Sequence, residues 1–182
     1  MQMLHIIGDS ELGGSVIVPQ LAEMTKQLGW QVDVLTTNEL HGLYRLYRFL
    51  RSAGYDIVHT HGSQTNWVSL AARLAGTRAI LHTTHGFAFH EGAHPLVLWF
   101  YTLSDRLVAR WSDRIIMMSD FHRRWALRLG IGDQRKMTSI PNGISKRRFW
   151  AEPACYVYYM VGAGGDDCYI VAITIQEPDD TP

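Results

Sequence analysis

The chain has 182 residues, 47% of them hydrophobic and 19% charged, a balance that suits one packed core with an appendage and excludes a disordered chain. Its 17 bases and 17 acids cancel, but all the bases and 11 of the acids lie at or before Arg148, leaving that part at +6 and the remainder with six acids and no base. The only cysteines, Cys155 and Cys168, are too few for a disulfide framework, which excludes a disulfide-stapled scaffold and points to a reducing compartment.

In chain order, short apolar runs predict strands over residues 4–7, 31–35, 56–60, 78–84, 113–119 and 136–140. Amphipathic stretches between them predict helices over 15–28, 40–53, 64–75, 95–111 and 120–129. The run Ile115-Ile116-Met117-Met118 is continuously apolar, as expected of a parallel strand covered on both faces. Gly29, Gly54, Gly76 and Gly130 each follow a helix at the position that favours a left-handed stop. Six strands alternating with helices imply a Rossmann-like, doubly wound parallel α/β sheet. Pro141-Asn142-Gly143 then closes this part, and the predicted organisation is one domain over 1–149 with a short acidic tail over 150–182. Within the tail, residues 156–161 and 168–175 read as two further strands.

A parallel sheet binds ligands beyond the carboxyl ends of its strands, so the loops after the strands carry the candidates. Gly8-Asp9-Ser10-Glu11-Leu12-Gly13-Gly14-Ser15 joins the first strand to the first helix. Adjacent glycines allow a ligand to approach the backbone, and a helix start favours phosphate. The spacing fits neither the dinucleotide fingerprint nor a P-loop, and a tight turn explains it equally well. His59 and His61 share one face at the end of the third strand. Thr83-Thr84-His85-Gly86-Phe87 puts an imidazole at the mouth of the sheet, where it can hydrogen-bond a hydroxyl or face a developing charge. A satisfied, half-buried histidine is the competing reading.

Nine histidines raise the question of zinc. No His-Glu-x-x-His is present and cysteine ligands are missing, so the expectation is no metal. Arg45, Arg48 and Arg51 form a basic stripe, and residues 95–111 are rich in aromatics; such faces suit an anionic membrane surface or simply solvent. The bases are dispersed and no nucleic-acid-binding module is recognisable, so nucleic acid is not an expected partner. Met1-Gln2-Met3-Leu4-His5-Ile6-Ile7 lacks the basic start of a signal peptide, and no run approaches the ~18 apolar residues of a membrane span. The expected setting is cytoplasmic, with peripheral contact at the inner membrane face as an option.

Several pieces together resemble the amino-terminal domain of the GT-B glycosyltransferases, specifically the large retaining family four. Met3-Leu4-His5-Ile6-Ile7 through Gly13-Gly14 is similar to that family's first strand and glycine loop. Asp56-Ile57-Val58-His59-Thr60-His61 is similar to its third strand. Thr84-His85-Gly86-Phe87 and His90-Glu91-Gly92 look like a segment of members that build bacterial polysaccharides. Ser119-Asp120, Leu129-Gly130-Ile131 and Ile140-Pro141-Asn142-Gly143-Ile144 look like the exit from the domain. The match covers residues 3–149.

The resemblance implies transfer of a sugar from a nucleotide-sugar donor to a polysaccharide or lipid-linked acceptor, with retention and without a metal or other cofactor. His85 would be the catalytic contact to the transferred sugar. Gly13 and Gly14 would approach the donor diphosphate and the acceptor. His61 and Asn66 would shape the acceptor side, with Gly86, Phe87 and Ser119 beside them in the donor and acceptor site. In that family a second Rossmann-like domain supplies an Arg/Lys pair for the diphosphate, whereas the tail here has no base. The expectation is therefore a chain that is inactive alone or needs a separate donor-binding chain, its tail being a native hairpin or the mark of a truncated or frame-shifted gene. The alternatives are a non-catalytic or degenerate interaction protein derived from such an enzyme, and a histidine-based metallohydrolase.

Overall fold

The computed structural model describes residues 1–8, 12–39, 42–62, 65–87, 94–141, 156–162 and 168–174, the side chains of 12–16 and of the last two ranges excepted. The chain divides into two compact units, Met1–Pro141 and Asn142–Pro182. The division falls between Pro141 and Asn142, within the Pro-Asn-Gly motif. In the second unit, β7 (Tyr156–Gly162) and β8 (Cys168–Thr174) pair antiparallel, Tyr156 opposite Thr174 and Gly162 opposite Cys168.

The first unit runs β1 (Gln2–Ile7), α1 (Leu12–Gln27), β2 (Gln31–Thr36), a 3-10 turn (Thr37–Glu39), α2 (Leu43–Ala53), β3 (Ile57–His61), α3 (Asn66–Ala75), β4 (Ala79–Thr84), α4 (Pro95–Trp111), β5 (Arg114–Met117), α5 (Asp120–Arg128) and β6 (Met137–Ser139). All six strands are parallel, in the order β2-β1-β3-β4-β5-β6. This is the α/β Rossmann-like sheet expected from the sequence. The order reverses direction between β1 and β3, so the crevice at their carboxyl ends is the place where such a sheet binds ligands.

Right-handed crossovers put α1 on one face and α2 to α5 on the other. The core agrees. Leu4, Ile6, Val58 and Ile80 pack with Leu46 and Leu50 of α2 and with Val68, Ala71, Ala72 and Ala75 of α3. Ile115, Met117 and Met137 pack with Ala109 of α4 and Ala126 of α5. On the opposite face Met3, Ile57 and Leu81 meet Ala22 of α1. Each fully buried aliphatic side chain contributes roughly 1.5–3 kcal/mol.

Helix ends follow local chemistry. Gly29, Gly54, Gly76 and Gly130 all have positive φ, 66° to 84°, and the amides of Gly54 and Gly76 close their helices on Leu50 and Ala72 carbonyls. The helix α4 starts at Pro95, whose missing N–H costs nothing there, and His94 Nδ1 accepts from the Leu96 amide at 3.3 Å. At the far end of α4, Lys136 Nζ donates to the Ser112 and Ala109 carbonyls at 2.9 and 3.3 Å, a cation placed against a helix C-terminus.

One boundary differs from the sequence reading in a way that matters. The first helix begins at Leu12, not Ser15. Gly13 and Gly14 therefore lie in its first turn, where backbone N–H groups have no intrahelical partner, and not in the preceding loop. Residues 9–11 lie outside the described residues. No helix among the described residues is long and apolar enough to cross a membrane.

Candidate functional site at the carboxyl edge of the sheet

Strand alternation and register bring the histidines together. His5 pairs with His59 across β1 and β3, Ile7 with His61, and His61 with Thr83 across β3 and β4. In a pleated strand every second residue shares a face, so His5, His59, His61 and Thr83 all lie on the α1 face. His85, two residues beyond Thr83, continues that row past the end of β4. His5, His59 and His61 are 0%, 3% and 1% exposed, whereas His85 is half-buried.

Hydrogen bonds link these rings into a row climbing to the edge. His5 Nδ1 lies 3.0 Å from His61 Nε2, and His61 Nδ1 lies 3.2 Å from His85 Nε2. His59 Nε2 is 2.7 Å from Thr83 Oγ1. The rings also lie against one another: His61 and His85 stack with centroids 5.4 Å apart, and His59 is tilted against His61 with centroids 4.1 Å apart. Burial pulls His5 down to about 4 and holds His59 and His61 well below the ordinary imidazole range. Burial also lowers His85. At neutral pH these rings are uncharged, so the site works through hydrogen bonds and not through net positive charge.

On the other face, His82 Nδ1 lies 2.8 Å from Thr60 Oγ1, which in turn lies 3.4 Å from Ser69 Oγ. His82 is also held down by burial, to about 4. It belongs to the packing of α3 and is separated from the His85 row by the sheet.

Gly62, after β3, has φ 75° and its amide donates to the Thr83 carbonyl at 2.9 Å. Thr65 Oγ1 donates to the Gly62 carbonyl at 2.7 Å, closing the turn that presents Asn66 at the start of α3. Asn66 Nδ2 donates to Ser104 Oγ of α4, and Asn66 Oδ1 is buried without a partner. A Cβ added at Gly86 would meet nothing within 4 Å, so open space adjoins His85. Phe87 turns away from the row and packs edge-on against Trp125 and His122 of α5, with centroids at 4.9 and 5.8 Å. Ser119 is the N-cap of α5, its hydroxyl accepting from the His122 amide at 3.2 Å. His90 lies outside the described residues, and the Nδ1 of His94 is occupied as a cap.

Sequence reasoning missed two residues. His5 belongs to the row, and the signal was a lone polar residue inside an otherwise apolar strand, in phase with His59 and His61 after alignment of the strands. Asp105 is the other. Only 9% exposed, it sits in α4 within reach of Asn66, and burial pushes its carboxyl up to about 7 against an opposing hydrogen bond from Asn66.

One ring nitrogen from each of His5, His59 and His61 lies within 4.8 Å of the others. Neutral imidazoles suit zinc, copper or iron. Yet the trio brings no carboxylate or thiolate to offset a dication in a buried place, and two of its nitrogens already hydrogen-bond each other.

Residues 37–143 match the family described as the glycosyl transferase 4-like domain. An Escherichia coli UDP-Gal:alpha-D-GlcNAc-diphosphoundecaprenol alpha-1,3-galactosyltransferase is 34% identical over 118 residues, 64% of this chain and 30% of that protein. Among solved structures, sucrose-phosphate synthase from Thermosynechococcus elongatus superposes with a TM-score of 0.61 at 17% identity, covering 79% of this chain and 49% of that one. Anabaena HepE in complex with UDP and glucose gives 0.55 at 17% identity, covering 79% and 45%. Acinetobacter baumannii MurG gives 0.55 at 11% identity, covering 85% and 48%. The chain thus spans less than a third of the curated relative's length and under half of each of these three solved neighbours. At these identities the solved structures speak for the fold.

Proposed function

The chain belongs to the glycosyl transferase 4-like domain family, and we propose that it forms the acceptor side of a site that transfers a sugar from a nucleotide sugar to a lipid-linked or polysaccharide acceptor. The observation that carries this reading is the uncharged His61–His85 pair at the carboxyl edge of β3 and β4. Neutral imidazoles are matched to hydroxyl groups, and open space adjoins them at Gly86. Two relatives lend chemistry to the proposal: one is named for UDP-galactose and a diphosphoundecaprenol-linked acceptor, and another holds UDP and glucose.

In this reading His85 touches the transferred sugar, while Gly13 and Gly14 offer backbone amides to the donor diphosphate and leave room for the acceptor. His61 and Gly86 shape the acceptor side, while Asn66, Phe87 and Ser119, engaged with α4 and α5, support the loops around them from behind. The acceptor hydroxyl attacks the anomeric carbon on the face from which the diphosphate departs, so configuration is retained. The glycosidic bond to the acceptor forms as the bond to the leaving oxygen breaks, and that oxygen takes the hydroxyl's proton. No protein base is needed. Cations that neutralise the leaving diphosphate come from a donor-binding domain, on the same polypeptide or on a separate chain.

A lipid-linked acceptor requires approach to a bilayer. The helix α4 exposes Leu96 and Trp99, at 70% and 63%, together with Phe100 at 63% and parts of Leu103 and Leu107, with Arg106 and Arg110 on the same element. This mixture suits peripheral contact with an anionic cytoplasmic leaflet.

The test is calorimetric titration of the chain with a short-prenyl diphosphate-linked N-acetylglucosamine. Wild-type protein should bind it, and His85→Ala should bind about tenfold more weakly, the loss of one hydrogen bond. Equal affinities, or no binding to the wild type, would defeat the reading. The second outcome would favour a non-catalytic interaction protein.

A further inference from the structure

Asp105 is a buried carboxyl with no cation to answer it. It lies on the inner side of α4 with Thr102, Val108 and Ala109, and the side chain that bears on it is the Asn66 amide. The charged groups of the neighbouring elements are engaged elsewhere, exposed or uncharged. On α4 itself Arg106 turns to the Leu129 carbonyl and Arg110 is exposed. On α3 Arg73 holds Asp113 and the Trp111 carbonyl. On α5 Arg123 pairs with Asp120, while Arg124 and Arg128 are exposed. Lys136 is spent on the Ala109 and Ser112 carbonyls. In the sheet, burial keeps His61 and His82 neutral. Desolvation without a compensating charge is what lifts Asp105 to about 7. Near neutral pH the fold therefore holds both forms, and they make different demands. The acid suits a dry junction between α3 and α4, whereas the carboxylate draws in water or further N–H donors.

That junction is tied to the candidate site. Asn66 is the first residue of α3, and it hydrogen-bonds both Ser104 and Asp105, so two adjacent side chains of α4 grip the start of the helix. Its Oδ1 is buried there without a partner, which leaves the junction only partly satisfied. Just before it, Thr65 Oγ1 donates to the Gly62 carbonyl at 2.7 Å and lies 3.3 Å from the His61 carbonyl. His61 Nδ1 lies 3.2 Å from His85 Nε2. A displacement at the start of α3 is thus carried through Thr65 to the His61–His85 pair.

We propose that Asp105 is a positioning residue: acting through Asn66, its proton keeps the start of α3 closed on α4, and loss of that proton displaces the His61–His85 pair. The consequence for an acceptor rests on the glycosyl-transfer reading; the displacement does not. With Asp105 protonated the pair is set for the acceptor, and affinity declines as the carboxyl ionises. The two rings cannot supply this pH dependence themselves, since burial lowers both below the ordinary imidazole range.

The experiment is NMR of the histidine rings and of the Asp105 carboxyl carbon in the full chain, without substrate, as pH is raised through neutrality. In the wild type the His61 and His85 ring signals should shift with the midpoint of the Asp105 carboxyl. Asp105→Asn keeps the shape and has no proton to lose, so its ring signals should stay where the wild type has them on the acid side. Asn66→Ala leaves the carboxyl titrating and should uncouple the rings from it, which separates positioning through Asn66 from a through-space effect of the new charge. Backbone amide spectra check that each variant folds, and if neither does, the wild-type midpoints decide alone. Ring signals that ignore the Asp105 midpoint, that move in Asp105→Asn as in the wild type, or that still follow the carboxyl in Asn66→Ala overturn the proposal. Titration with the prenyl diphosphate-linked sugar on either side of neutrality reads the consequence: severalfold weaker binding on the alkaline side in the wild type, and no change in Asp105→Asn. Coupled rings in a chain that binds no acceptor would defeat the transferase reading and leave the positioning role standing.

Discussion

At the scale of single residues, two glycines make opposite demands. Gly132 has φ +70°, and a Cβ there would sit 2.8 Å from Met137 Cε, 3.1 Å from Ile115 Cδ1 and 3.3 Å from Ala109 Cβ. Gly132→Ala should lower stability by about 1–3 kcal/mol, combining backbone strain with overpacking, as read by urea denaturation. Gly86→Ala should leave the urea midpoint unchanged, since nothing lies within 4 Å of the added methyl. Any loss of acceptor binding in that variant then reports a ligand passing close to the backbone. Asp105 gives a pH signature. Its carboxyl is raised to about 7 in the fold, so the stability it permits is complete below the unfolded value near 4 and declines as pH rises toward 7. Asp105→Asn should be close to neutral at pH 4 and more stable than wild type above pH 7, by on the order of 2–4 kcal/mol.

At the scale of elements, α4 carries the sharpest expectation. Its exposed apolar residues do nothing for the core, so the double variant Trp99→Ser, Phe100→Ser should keep the wild-type melting temperature. The same variant should lose at least about tenfold in binding to anionic phosphatidylglycerol vesicles measured by co-sedimentation. Full retention of vesicle binding would remove the membrane role from this helix. Most elements were legible beforehand because continuous apolar runs, glycine stops and the Pro95 start each encode a local rule. Boundaries slipped where a cap or a ligand loop competes with the helix. Gly13-Gly14 reads as a loop on composition, yet Leu12, Val16 and Ile17 extend the apolar phase of α1 back across it. Ser119 reads as a site residue, and the structure uses its hydroxyl to start α5.

At the scale of the molecule, the site was half legible. The sequence places His61 and His85 at strand ends, but His5 and Asp105 join only through pairings between distant segments, and one sequence carries no record of those. The collected histidines also set the acid limit of the fold. Burial holds His5 and His82 down to about 4 and holds His59 and His61 well below the ordinary imidazole range. Their stability contribution is intact above the unfolded value near 6.5 and is lost as pH falls from there toward 4. Each ring adds about 1.4 kcal/mol per pH unit to that slope. Asp105 acts in the opposite sense over the same window and offsets one ring of the four. Urea midpoints should therefore fall steeply between pH 6.5 and 4, and a flat profile would contradict the buried, uncharged assignment.

The position of β1 in the sheet adds a temporal dimension to the histidine row. The strand is made first during synthesis but lies between β2 and β3, and His5 finds its partner 56 residues later in the chain. A parallel pair cannot close until the intervening crossover exists. His5 therefore waits, unpaired, through the translation of α1, β2, α2 and β3, and the last link to His85 needs β4 as well. The row cannot form before β4 joins the sheet, so its ring signals report that the centre of the sheet is complete.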